Sequence, residues 1–448
     1  MLPWALKSER IVAGDRVVAG YVCVDSQGVI ERIGPDAPAD RAVRDVGTAV
    51  VSPGLVDCHV HINEPGRTDW EGYASATRAA AAGGVTTLVD MPLNCIPVTT
   101  TADAFAQKLA ACQAQCWVDV GFWGGVIPGN TPELPALARA GVLGCKAFMV
   151  HSGIDEFPNT TEVDLRAAMP VLRAHGLPLL AHAELDLGAR ANTDDPRAYQ
   201  SYLASRPSAW EDAAIALLIR LCRETGCHVH VVHLSAASSL PQLRAAKAEG
   251  LPITVETCPH YLCLEAESIP DGATEFKCAP PIRDHENREA LWRGLFEGVI
   301  DLVVTDHSPC TPQLKQRERG HFHDAWGGIA SLQLGLANVW THARQRGANL
   351  TDLARWLSTA PAKFAGLARR KGSLTAGHDA DLVVWDPDTR FDVRPEQLFF
   401  KHRVSPYLGT ALQGAVLHTF LRGVEIFDGH AHVGNARGQQ LLGRDASG

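Results

Sequence analysis

The chain has 448 residues, 46% of them hydrophobic and 20% charged, a balance that supports a large buried core and argues against global disorder. Its formal net charge is −9, from 50 acidic and 41 basic side chains, with no basic run or stripe, so nucleic acid is excluded as the expected partner. No apolar run is long enough to span a bilayer and the first ten residues hold too short an apolar stretch for a secretory signal, so we expect a soluble, cytoplasmic protein with no membrane partner.

The first fifty residues alternate short β-branched runs with turns: RIVAG, VVAGYVCVD, GVIERIG and AVVSPG. This texture predicts a small antiparallel β unit. From about Leu55 short apolar runs ending in polar residues alternate with Ala- and Leu-rich stretches of helical period, the pattern of a parallel sheet wrapped by helices. Eight strand candidates follow in order: LVDCHVH, VTTLVDM, WVDVGFW, VLGCKAFMV, LPLLAHAE, HVHVVHLS, PITVETCPH and DLVVTDH. Eight βα units are the number that closes a TIM barrel. After further helical runs, GSLTAGHDADLVVWDPD and GAVLHTFLRGVEIFDG return to strand texture. The expected fold is α/β, a (β/α)8 TIM barrel with a small β-sandwich domain formed by the N- and C-terminal segments. Residues 1–52 and 371–448 would supply that domain, the latter with a terminal extension, and 53–370 the barrel. Twelve cysteines are scattered without a CxxC pair, which reads as reduced structural thiols.

Polar residues gather at the C-terminal ends of the strand candidates, where barrel enzymes place their active sites. His59 and His61 close the first strand, and residues at i and i+2 share a face, so both imidazoles can reach one metal ion. Lys146 lies late in the fourth strand inside apolar GCKAFMV, His182 ends the fifth, His233 the sixth and Asp306 the eighth. Each alone has an ordinary reading as rim polarity, or for Lys146 as a snorkelling side chain; six at the ends of five strands point to a metal site. Imidazoles and carboxylates suit zinc, and also manganese, iron or cobalt. His228 and His230 read as barrel packing. His260 either touches the site or is structural, His307 points away if its segment stays extended, and Arg67 pairs with Glu64 in a loop.

PGLVDCHVH, VTTLVDMP, GCKAFMV, HAE, VVHLS, ETCPHYL, TDHSP and GSLTAGHDADLVVWD together resemble the cyclic-amidohydrolase branch of the metal-dependent amidohydrolase superfamily, from about Pro53 to Asp386. Within it HINEPGRTDWEG, DMPLN, FKCAPPIRDHENREALW, TDHSPCTPQLK and KHRVSPYLG are most similar to allantoinases. The resemblance implies a binuclear centre: His59, His61 and Asp306 on one divalent ion, His182 and His233 on the other, and Lys146, carboxylated by CO₂ to N6-carboxylysine, bridging them. It also implies Asp306 as catalytic proton shuttle, a small cyclic ureide as substrate, ring opening of allantoin to allantoate, and a homo-tetramer. Dihydroorotases of this family carry an arginine two residues after the H-x-H pair, where this chain has Asn63; hydantoinases carry a tyrosine five residues after the lysine, where it has His151. Asn63 and Asn94, neutral amides, and the backbone of Ala279 are the expected substrate contacts, although loop capping also explains both asparagines. The alternatives are a hydantoinase or dihydropyrimidinase, or a non-catalytic scaffold on the same fold.

Overall fold

The structure is a computed structural model that describes residues 1–188 and 195–443; the end of the expected terminal extension, 444–448, lies outside the described residues. The chain opens with β1 (Trp4–Ala13), β2 (Arg16–Val24), β3 (Ile30–Gly34), β4 (Ala42–Asp45) and β5 (Val50–Pro53). β1, β2 and β3 form an antiparallel meander, as the alternating texture predicts. The antiparallel expectation fails for β4 and β5, which both pair parallel with β1, β4 along its first half and β5 along its second. The register of β1 against β2 shifts between Ser8 and Ile11, so one long strand serves two neighbours on either side of a bulge.

The barrel strands are β6 (Leu55–Val60), β7 (Val85–Asp90), β8 (Asp119–Phe122) with its continuation β9 (Gly124–Gly125), β10 (Cys145–Phe148), β11 (Leu179–His182), β12 (Val229–Val231), β13 (Ile253–Thr257) and β14 (Leu302–Val303). Each of the eight strand candidates contains one of them. All pairings between neighbours are parallel. The ring closes where Val60 bridges His307 and the His61 N–H donates to the His307 carbonyl at 2.8 Å. Every residue of β6, β7, β8, β10 and β11 is buried, as expected for strands covered on one face by helices and filled on the other. The alanine-rich helix Tyr73–Ala82 packs four consecutive buried alanines, Ala79 to Ala82, which lets it lie close on the sheet.

After the barrel, β15 (Leu382–Asp392), β16 (Ala411–Leu421) and β17 (Val424–Phe427) extend the first sheet in the order β17-β16-β15-β5-β1-β2-β3. The join is antiparallel pairing of β15 with β5. A separate apolar core fills this domain, drawing Leu6, Ile11, Val22, Val24 and Val51 from the N-terminal side and Leu382, Val384 and Phe420 from the C-terminal side. The terminal extension does not stay with it: β18 (Gln440–Leu441) pairs parallel with Val120 and Gly121 of β8, at the base of the barrel. No helix among the described residues is long and apolar enough to cross a membrane.

Candidate metal centre

All six residues singled out at the strand ends line one cavity of about 720 Å³ at the C-terminal mouth of the barrel. His59 Nε2 lies 3.2 Å and His61 Nε2 3.4 Å from Asp306 Oδ1. Across the cavity His182 Nδ1 faces His233 Nε2 at 3.0 Å. One donor atom from each of His59, His233 and Asp306 lies within 4.8 Å of the other two. Lys146 is fully buried, its Nζ without a hydrogen-bond partner and 5.0 Å from the centre of the Phe148 ring. Burial pushes the Lys146 ammonium down to about 7 and the His182 imidazole to about 4, which favours the neutral imidazole and makes the neutral amine accessible near neutral pH.

Backbone geometry aims several of these groups. Among the described residues seven non-glycines have positive φ, and four are candidate site residues: Asn63 (67°), Asn94 (65°), His233 (38°) and Asp306 (44°). Few non-glycine residues enter that region, asparagine, aspartate and histidine more readily than the rest, and non-glycine residues held there cluster at functional sites. The kink at Asp306 means that its segment does not stay extended. His307 nevertheless points away from the cavity, its Nδ1 accepting from the Ser331 and Leu332 N–H groups at 3.1 and 3.3 Å.

Two carboxylates that carried no role in the sequence orient the imidazoles. Glu256 contacts His59 Nδ1 with one oxygen and His230 Nε2 at 2.9 Å with the other, and accepts from the His233 N–H at 3.1 Å. Glu184 takes His182 Nε2 at 2.6 Å and is itself paired with Arg206, whose Nε donates at 3.0 Å. Burial alone would raise both carboxyls, yet His59 and His230 hold Glu256, and Arg206 and His182 hold Glu184, at about 2. Carboxylates behind metal-binding histidines fix tautomer and ring direction. The signal was present: Glu184 stands two residues after His182, just past the end of β11, and Glu256 is the penultimate residue of β13.

Other expectations fare unevenly. His230 stacks on Phe364 at 3.7 Å, as packing requires, while also holding Glu256. His228 bonds Thr254 Oγ1 at 2.8 Å, away from the cavity. His260 is buried with both ring nitrogens unpartnered and does not line the cavity, although it lies close to Asp306. The Arg67–Glu64 pair is a miss: Arg67 pairs with Glu156 at 3.1 Å, because Glu64 is spent on the N-terminus of the next helix, accepting from the Tyr73 N–H at 2.8 Å. Asn94 and Ala279 line the cavity; Asn63 does not, its left-handed backbone turning the amide to donate to Pro309 O at 3.2 Å. His151 reaches the rim with its side chain 61% exposed.

The chain matches the Amidohydrolase family model over residues 50–426. It is 45% identical to an allantoinase of Arabidopsis thaliana, over 98% of this chain and 90% of the relative, and 48% identical to an allantoinase of Streptomyces avermitilis, over 94% of each. The chain belongs to the amidohydrolase family. Among solved structures this amidohydrolase superposes on an L-hydantoinase of Arthrobacter aurescens with a TM-score of 0.91 at 28% identity, covering 99% of this chain and 100% of that one. A D-hydantoinase of a Thermus species gives 0.86 at 26%, covering 99% of each. The barrel with its separate β-sandwich domain is the architecture of these neighbours. The protein is a hydrolase acting on cyclic amides, and the family generally carries a binuclear divalent metal centre. The scaffold alternative is thereby set aside.

The residues present fit such a centre. His182 Nδ1 and His233 Nε2 converge at 3.0 Å, and His233 Nδ1 and the buried Lys146 Nζ have no partner, so the cavity gathers nitrogen atoms that cations would satisfy.

Proposed function

We propose that this chain opens the ring amide of allantoin by hydrolysis to give allantoate. The observation that carries this reading is its much closer likeness to the allantoinases named above than to the hydantoinases whose fold it shares. His151 in place of the hydantoinase tyrosine, and Asn94 with its Oδ1 unpartnered beside the cavity, support it: a neutral amide can donate to and accept from an uncharged ureide.

In this reading His59, His61 and Asp306 hold one divalent ion, His182 and His233 a second, and Lys146 is shared between them. Zinc is the expected metal, with manganese, iron or cobalt also suited to the donors. When bound, such ions bring the pKa of water toward about 7 and polarise an amide carbonyl. The Lys146 side chain, which burial brings within reach of its neutral amine, would add in that form to the carbon of CO₂ and release a proton, giving an N6-carboxylysine with two oxygens to offer. Asp306 accepts the proton of the attacking water and delivers it to the ring nitrogen as the C–N bond breaks, acting as base and then acid. Glu256 and Glu184 keep the imidazole rings directed inward. Asn94 and the backbone of Ala279 orient the ring.

Assayed on a panel, the enzyme should prefer allantoin over hydantoin, dihydrouracil and dihydroorotate by at least about tenfold in kcat/KM. A 5-substituted hydantoin or dihydrouracil outrunning allantoin would replace the substrate and leave the metal chemistry standing. We also take 1–52 and 371–448 as one domain around the barrel 53–370, with the pairing of β5 and β15 in support, and a cytoplasmic homo-tetramer as the assembly, checked by light scattering.

A further inference from the structure

Five lysines are buried: Lys108, Lys146, Lys277, Lys315 and Lys371. Lys108 sits on Asp90 at 2.6 Å, and Lys371 on Asp119, Asp379 and Asp381. Lys146 belongs to the metal centre. Lys277 and Lys315 differ from all of these, because both rest on neutral carbonyl oxygens. Lys277 Nζ donates to His323 O at 3.1 Å and Ala325 O at 2.6 Å. Lys315 Nζ donates to Trp326 O at 3.1 Å and to Gly328 O. Together they grip one loop, residues 323–328, which forms a wall of the cavity.

The two are not equivalent. Lys277 lines the cavity and Lys315 does not. Lys277 is 8% exposed, its Nζ 5.0 Å from the centre of the Tyr202 ring, and the Tyr202 hydroxyl donates to the adjacent Cys278 O at 2.7 Å, so the position is built. In its ammonium form the side chain has three N–H groups; the loop carbonyls take two, and the third has no hydrogen-bond acceptor among the described residues. Burial, then the neighbouring Lys315 and Arg206, push Lys277 down to about 7, with Asp324 opposing. A cation so placed, with no paired carboxylate, is costly unless a further acceptor arrives.

We propose that Lys277 is a specificity-determining residue: its remaining N–H binds the carbonyl oxygen of the ureido arm of the substrate, on the wall formed with residues 323–328. This rests on the allantoin reading, because hydantoin has the ring without the arm. The test measures kcat/KM for allantoin and hydantoin in the wild type, Lys277→Met and Lys315→Met, each loaded with metal. Methionine keeps the apolar stem and removes the donors. The expected result is a fall of about 10- to 100-fold in the allantoin-to-hydantoin ratio in Lys277→Met, carried mainly by KM, the scale of about 1–3 kcal/mol for a buried group left unpaired. Lys315→Met, which loosens the same loop without reaching the cavity, should lower both substrates together and leave the ratio near that of the wild type. Equal ratios in all three proteins, or the same fall in both variants, would overturn the proposal and assign Lys277 to loop support. Should Lys277→Met not fold, Lys277→Leu, which also keeps an apolar stem without a donor, is read the same way against Lys315→Leu. A wild type that prefers hydantoin would instead refute the substrate reading, whatever the variants do.

Discussion

Two buried clusters of ionisable side chains lie at opposite ends of the barrel strands, and by donor type either could hold a cation. At the C-terminal ends stand His59, His233 and Asp306 with their neighbours; at the start of β8 Asp119 meets Asp379 and Asp381, one ligand atom of each lying within 4.8 Å of the others. The basal cluster is already compensated. Lys371 reaches its three carboxylates at 2.6, 2.8 and 2.7 Å, and Arg422 adds a second cation to Asp119. Burial alone would lower the Lys371 pKa, but Asp381, Asp119 and Asp379 raise it above its ordinary value. At the top the lysine is hydrogen-bonded to no carboxylate, two imidazole nitrogens confront each other, and His233 and Asp306 have positive φ. Grouped carboxylates therefore do not make a metal site. What separates the two is whether the chain supplies its own cations.

The comparison breaks hardest at Lys146. Lys146→Ala should lose the bound ions and reduce turnover to background, with small carboxylic acids restoring part of both; a fully active variant would remove the shared ligand from the scheme. Lys146→Arg should fail as well, because a guanidinium cannot be carboxylated and stays charged. Next is Asp306→Asn, for which we expect a fall in kcat of about 10²–10⁴ with the ions largely retained by elemental analysis; unchanged turnover would move the proton shuttle elsewhere.

Glu256→Gln sharpens the comparison from behind the ligands. It should cost about 10- to 100-fold in metal affinity or activity, read by chelator competition, and an unaltered affinity would reduce Glu256 to packing. At the base, Lys371→Met should lower stability by about 3–5 kcal/mol, the scale for leaving buried charges uncompensated, seen as a lower denaturant midpoint. Its kcat per folded molecule should stay near that of the wild type. Loss of bound metal from Lys371→Met would overturn the structural assignment of the basal cluster.

Much of this was legible before folding. The eight strands, the return of the C-terminal strands to the N-terminal sheet and the six convergent residues all follow from local patterns: β-branched runs, a period of two, and polar residues at strand ends. The residues that escaped were those whose meaning lies in a distant partner. Glu256 serves His59 from nearly two hundred residues away, and Glu184 is held by Arg206, at the end of the helix Tyr199–Ser205. Lys371 and Asp119 carried no reading in the sequence; together they are a buried clamp between the barrel and the small domain.

Tertiary structure also decided matters of direction. Asn63 and Asn94 are the same residue type in similar left-handed turns, yet one amide lies at the cavity and the other closes on Pro309. The parallel pairing of β4 and β5 with β1, and the passage of β18 to the barrel base, depend on edges that exist only once the strands are assembled. By itself the sequence determined which side chains stand at the strand ends, because the side-chain period is a property of the backbone alone. Which of them face one another, and which buried charge is left without a counterion, was settled by the three-dimensional packing, since Coulombic and desolvation energies depend on distance and burial.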